Sequence, residues 1–169
     1  MEYVRLGKTN LLASRTAFGA MSLKHTGDAE TASTLIRKAY EAGINFFDTS
    51  RSNGASEKLL GDALYEVREN VIIATKSKAS SGQELLRDLD ESLDALHCDA
   101  IDLYQYETEN FIPTADGKDG IYQTLLTMKA SGKIKHIGAV TEDFDTASEI
   151  IKTELYETIQ FPFSMISPI

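Results

Sequence analysis

The sequence predicts an α/β domain built from parallel βαβ units, about six strands and five intervening helices behind an N-terminal hairpin. Three observations carry that prediction. Short apolar, often β-branched runs alternate with amphipathic stretches of about ten or more residues, as in parallel strands joined by helices. The units recur at a pitch of roughly 25–35 residues, which suits a (β/α) array better than a short solenoid repeat. A chain of 169 residues suits one good core and is marginal for two, so residues 1–169 read as a single domain.

The elements follow in order. The clearest hairpin candidate lies around Lys8-Thr9-Asn10, between "YVRL" and "LLAS". "TAFGAM" (16–21) reads as a strand, after which Asp28 can cap a helix running to about Glu41 and closed by Gly43. "INFF" (44–47) is the next strand, and Leu59, Leu60, Ala63 and Leu64 stand at helical spacing after it. "NVIIATK" (70–76) is a β-branched strand. The clearest helix follows, with Leu85, Leu86, Leu89, Leu93 and Leu96 in one stripe and acids outside it. "DAIDLYQY" (99–106) is a strand, and residues 120–132 form a helix ended by Gly132. "KIKHIGAV" (133–140), a helix over 143–155 and "ETIQFPF" (157–163) complete the array. The loop over 107–119 is long, which in a compact domain usually means function or disorder.

Composition narrows the partners. Seventeen Lys and Arg against 26 Asp and Glu give a net charge of −9, which argues against nucleic acid or an anionic membrane surface as partner. No apolar run approaches the length of a membrane helix, and the N-terminus carries no apolar signal core. The single cysteine, Cys98, permits no internal disulfide and fits a reducing compartment. A soluble cytoplasmic domain is the expectation, and no metal-ligating pattern stands out.

Side chains alternate along a strand, so one parity shares a face. That parity carries Phe46 and Asp48 on "INFFD", Ala74 and Lys76 on "IIATK", and Gln105 and Glu107 on "LYQYE". Three consecutive strands thus run apolar and end in an ionisable residue at the C-terminal rim, where β/α barrels place catalytic groups. Singly, each residue reads as a cap, a turn residue or a solvated strand end. Jointly they read as a site in which an acid holds a lysine charged and oriented, and the lysine can depress a nearby hydroxyl.

With those residues placed, the sequence resembles the aldo/keto reductase family of NAD(P)H-dependent carbonyl reductases. "AYEAGINFFDTSRSNGASEKLLGDAL" carries most of the likeness, and "VIIATK", "SLDALHCDAIDLYQ", "ASGKIKHIGAV" and "ETIQFPFS" follow in the family's order. The resemblance implies a partial (β/α)8 TIM barrel, with the chain stopping soon after the sixth barrel strand. It also implies NADP as cofactor and a small carbonyl compound as substrate. Of the family's four catalytic residues, Asp48 matches the aspartate and Lys76 the lysine. Asn53 stands where the tyrosine acid belongs, and Glu107 where the histidine belongs. Asn53 donates amide hydrogen bonds but transfers no proton at neutral pH. Tyr104 and Tyr106 lie on the opposite parity and do not replace the tyrosine.

The cofactor face is altered in the same way. Val140 and Thr141 occupy the positions of the Ser/Asn pair that holds the nicotinamide amide. Gln160 matches the sixth-strand glutamine that contacts the same amide. Gly19, Ala20 and Met21 match the end of the first strand beside the nicotinamide ribose, where tight backbone packing is the other reading. The phosphate-holding strands seven and eight are not in the sequence, and "GxGxxG" does not occur. Impaired or absent carbonyl reduction is therefore expected, with a non-catalytic binding role as the alternative. Open sheet edges lead to an expectation of self-association.

Overall fold

Six parallel strands, hydrogen-bonded in chain order, form the main sheet in the computed structural model, which describes residues 1–164. They are β3 (Phe18–Gly19), β4 (Phe46–Asp48), β5 (Ile72–Ser77), β6 (Ile101–Glu107), β7 (Ile134–Val140) and β8 (Thr158–Gln160). Five helices connect them: α1 (Ala29–Glu41), α2 (Ser56–Leu64), α3 (Gly82–Leu96), α4 (Ile121–Ala130) and α5 (Phe144–Thr153). The sheet curls into a half-barrel, with the helices on its convex side. This is the predicted partial (β/α)8 architecture; the sequence's last residues, up to Ile169, lie outside the described range.

Local chemistry fixes the helix starts. Asp28, Ser81 and Asp143 are extended residues whose side chains accept the N–H of Thr31, Glu84 and Thr146, satisfying donors the helix itself cannot. Apolar residues on the other faces then pack against the sheet. Phe47, Ile73, Leu85, Leu89, Ile101 and Tyr104 are all fully buried there. β5 is buried along its whole length, as a strand covered on both faces should be.

Two strand assignments need correction. "TAFGAM" contributes only Phe18–Gly19 to the sheet, and Ala20–His25 forms a 3-10 helix. Ala20 and Leu23, three residues apart, both pack into the core, and that spacing puts them on one side of a 3-10 turn. The last strand is Thr158–Gln160 rather than residues 157–163. Pro162 has no N–H to give a ladder, which limits pairing beyond Gln160.

The predicted hairpin is present, with β1 (Tyr3–Arg5) and β2 (Leu12–Ser14) antiparallel. It is fastened to the start of β4 by Asn45, whose Oδ1 accepts the Ser14 N–H at 2.7 Å and whose Nδ2 donates to the Leu12 carbonyl at 3.0 Å. Its turn reaches the start of β8, where the Lys8 N–H donates to the Glu157 carbonyl at 3.0 Å. Gly7 makes that approach possible. Its φ is +53°, and a Cβ there would lie 2.5 Å from the Glu157 oxygen.

Glu157 is itself a hub. Its carboxylate accepts from Lys129 Nζ at 2.6 Å, His136 Nδ1 at 2.8 Å and the Ile137 N–H at 2.9 Å. Burial opposes its ionisation, but the bonds from His136, Lys129 and Ile137 outweigh burial and hold its pKa below the usual glutamate range. A depressed carboxyl contributes stability above the unfolded value, and that contribution disappears as pH falls through the folded value. Glu157→Gln should therefore cost ~2 kcal/mol at pH 7. The gap from the unmodified chain should narrow as pH drops below the ordinary glutamate range. Urea titrations at several pH values test this; a constant gap would show that ionisation of Glu157 contributes nothing.

Candidate active site

The strand registers bring the predicted rim together. Gly19 pairs with Asp48, Asp48 with Ala74, Lys76 with Gln105, Glu107 with Val140, and Val140 with Gln160. The C-terminal ends of β3 to β8 therefore form one continuous arc.

At its centre Lys76, only 9% exposed, donates from Nζ to both Asp48 oxygens at 2.7 Å and to the Thr49 carbonyl at 2.9 Å. The ammonium has three acceptors for three protons. The Asp48 carboxylate is further approached by Gln105 Nε2 at 3.5 Å and Gln160 Nε2 at 3.4 Å, both long contacts. Asp48, Gln105 and Gln160 line a concave cavity of about 360 Å³, with Phe46, Leu103 and Phe161 among its apolar walls. Apolar walls around a few convergent polar groups are the usual character of a small-molecule site.

Glu107 belongs to a different part of the rim. It pairs with Lys78 at 3.3 Å rather than with Lys76, and both line a separate cavity of about 580 Å³ at the ends of β6 and β7. Asn53 lies in a short 3-10 turn, Arg51–Asn53, with its N–H donated to the Ser50 carbonyl. Ser50 Oγ donates to the Lys76 carbonyl at 3.4 Å, so this turn is tied to the end of β5. No hydrogen bond links the Asn53 side chain to Asp48 or Lys76. The two tyrosines set aside on parity point away from the cleft. Tyr104 is fully buried on the helix side, where burial pushes its phenol far above the ordinary range, and Tyr106 donates to the Ala79 carbonyl at 3.2 Å.

The positions matched to the cofactor differ among themselves. A Cβ on Gly19 would meet nothing within 4 Å, so tight packing does not explain that glycine, and backbone there is open to a ligand. Ala20 is fully buried in the core, whereas Met21 is 59% exposed. Val140 is buried between Glu107 and Gln160 in register. Thr141 is buried too, and its Oγ1 accepts the Asp143 N–H at 3.2 Å in the turn before α5. Gln160 is exposed and turned toward Asp48. A nicotinamide placed at this rim would meet an open backbone at Gly19 and a carboxamide at Gln160. Val140 offers no side-chain donor, and the Thr141 hydroxyl is buried in the turn before α5. The residues present would suit the ring end of such a cofactor, on the Asp48–Gln160 side.

Sequence reasoning passed over a buried group beneath this rim. Glu57 is 0% exposed and accepts from Thr75 Oγ1 and Ser92 Oγ, each at 2.7 Å, and from the Arg51 guanidinium. Its only signal was an acid on the apolar face of α2. Gln105 was in phase with Asp48 and Lys76, yet lacking charge it drew no role.

Among the described residues no group of three His, Cys, Asp or Glu side chains is arranged to hold a metal, and no helix is long and apolar enough to cross a membrane.

The model of the aldo/keto reductase family matches residues 15–167. An uncharacterised oxidoreductase of Bacillus subtilis, YrpG, is 31% identical over 162 residues, spanning 82% of this chain and 49% of its own. The NADH-specific methylglyoxal reductase of Escherichia coli is 26% identical over 195 residues, spanning 98% of this chain and 60% of its own. Among solved structures, the holo form of aldo-keto reductase AKR11C1 from Bacillus halodurans superposes with a TM-score of 0.84 at 27% identity. That superposition covers 97% of this chain and 58% of the other. The chain spans about half the length of the curated relatives it matches.

Proposed function

Since the chain belongs to the aldo/keto reductase family of oxidoreductases, we propose that its concave rim takes the nicotinamide end of NAD(P)H beside a small carbonyl compound and reduces that carbonyl only slowly. The Asp48–Lys76 pair at 2.7 Å, with Asn53 on the neighbouring turn, is the observation that carries the reading. NAD(P)H, when bound, supplies the hydride. Lys76 places a fixed positive charge near the point where carbonyl oxygen becomes alkoxide, in a partly dry site where such a charge acts strongly. Asp48 holds that ammonium in place. What the arrangement lacks is a group to hand over the proton, because Asn53 is an amide. Glu107 is turned to Lys78 at 3.3 Å rather than to the Asp48–Lys76 pair, so it is not placed to take over that task.

Gln160 and the open backbone at Gly19 would hold the carboxamide side of the ring. The family uses NAD(P)H, and one relative is by name NADH-specific, so both cofactors belong in the assay. Stopped-flow oxidation of NADPH and NADH with a panel of reactive aldehydes is the direct test. The expected result is cofactor binding with trace turnover, abolished by Lys76→Met. Turnover at the rate of an ordinary reductase would show that Asn53 does not limit the chemistry. No binding of either cofactor would leave the second reading, a non-catalytic relative.

One observation bears on assembly. Among the described residues β3 and β8 each pair on one side only, and the concave cavity opens between apolar walls. We read the 169-residue chain as self-associating through those edges. Sedimentation velocity should show species larger than a monomer; a single monomer at all concentrations would overturn this.

A further inference from the structure

Gln105 is 2% exposed and lies on the concave face of β6, two strands away from Gln160 on β8. It reaches Gln160 diagonally across β7: the residue beside Gln105 in register is Gly138, whose partner on β8 is Thr158, two residues before Gln160. A Cβ on Gly138 would stand 3.0 Å from Gln105 Cγ and 2.4 Å from Thr158 Oγ1, filling the gap the glutamine crosses. Through it Gln105 Nε2 donates to Gln160 Oε1 at 3.2 Å, and Gln160 Nε2 in turn approaches Asp48 Oδ2 at 3.4 Å.

The polarity of this chain of contacts follows from its ends. Asp48 is acceptor-only when ionised, so each amide must turn its NH2 toward it. Rotating Gln105 by half a turn would set its oxygen against both Asp48 and Gln160 Oε1. Rotating Gln160 would set its oxygen against Asp48. Only one orientation of each amide avoids facing acceptors. Held that way, Gln160 keeps one N–H and one lone pair of Oε1 for the cleft.

We propose that Gln105, threaded over Gly138, is a positioning residue that fixes the orientation of the Gln160 carboxamide and so presents a donor and an acceptor of set polarity to a carboxamide ligand. This rests on the reading of the rim as a nicotinamide site. A ligand carboxamide complements both groups, whereas an acetyl group, which lacks the N–H, complements only the donor.

The test uses Gln105→Met, which keeps length and apolar bulk but removes the donor. Side-chain amide resonances of Gln160, assigned by their loss in Gln160→Glu, are followed in the ligand-free protein. In the unmodified chain its two amide protons should be well separated and slow to exchange. In Gln105→Met, where only the long contact to Asp48 at 3.4 Å remains, they should shift toward the positions of a freely rotating glutamine. Gly138→Ala, acting only through space, should produce the same change where it folds. Unaltered Gln160 resonances in Gln105→Met would overturn the proposal. A role confined to packing would lower the melting temperature without touching those resonances.

The second arm compares binding of NADPH with its 3-acetylpyridine analogue by fluorescence quenching. The unmodified chain should prefer NADPH by roughly tenfold, the value of one good hydrogen bond, and Gln105→Met should lose that preference. A preference equal in both proteins would count against the positioning role. If neither protein binds either cofactor, the nicotinamide reading falls, while the ligand-free resonances still decide whether Gln105 orients Gln160.

Discussion

Asn53→Tyr is expected to raise the single-turnover rate of NADPH oxidation by a small aldehyde by ~10²–10⁴-fold, the usual contribution of a general acid. The argument depends on what else the substitution leaves alone. Lys76 is already held by Asp48 and Thr49, and the turn carrying residue 53 is tied to the end of β5 through Ser50. A phenol that reached Lys76 from this turn would have beside it an ammonium that favours its ionised form, which is the environment an acid working near neutral pH needs. Both proteins share one cofactor face, so cofactor affinity cancels in the ratio measured at saturating NADPH. Absolute rates can be low in each without affecting it. Equal rates would show that proton delivery does not limit the reaction, and that the loss lies in positioning instead. A gain that persists in Asn53→Phe would point to packing of the turn rather than to the hydroxyl.

The fold was legible because its signals are local and repeated. The helix cap at Asp28 and the leucine stripe of α3 are set by local sequence, and alternation on β4, β5 and β6 put Lys76 and Gln105 on the face where both meet Asp48. The same alternation turned Tyr104 and Tyr106 away from the cleft. What the sequence could not show is how side chains choose among partners within reach. Glu107 has the right parity, yet Lys78 takes it rather than Lys76, because charge pairing at the rim depends on strand ends and loop paths. Ala20 looked like the end of a strand, but its methyl, with Leu23, fills the core from a 3-10 turn. Gly138 was read only as a strand residue. Its role as a gap is visible only once β6, β7 and β8 lie side by side. Glu57 was hidden by the same limit, since an acid on the apolar face of a helix has no obvious partner until β5 and α3 supply them.

Glu57→Ala is expected to destabilise the chain by about 3–5 kcal/mol, the range for breaking a buried ion pair by removing one member. The side chain has no solvent contact, and its three donors come from three different elements: Arg51 from the turn after β4, Thr75 from β5 and Ser92 from α3. Removing the carboxylate leaves two fully buried hydroxyls and a largely buried guanidinium without their acceptor. Glu91, 3.8 Å from Arg51 and half exposed, is too distant and too hydrated to take over. Arg51→Met should cost a similar amount for the opposite reason, by stranding the carboxylate. The double change Arg51→Met with Glu57→Leu should recover part of either loss, because a well-packed apolar pair carries no desolvation penalty. Urea denaturation at constant m-value reads all three. A loss below ~1 kcal/mol for Glu57→Ala would mean that the cluster is satisfied in some other way. The expected result has a consequence for the site as well. Arg51 begins the turn that carries Asn53, so releasing it from Glu57 frees the segment that follows Thr49, whose carbonyl holds Lys76. Loosening of the rim should then accompany the loss of stability. Faster amide exchange at Ser52 and Asn53 than at β5 in Glu57→Gln, measured well below its unfolding transition, would register it.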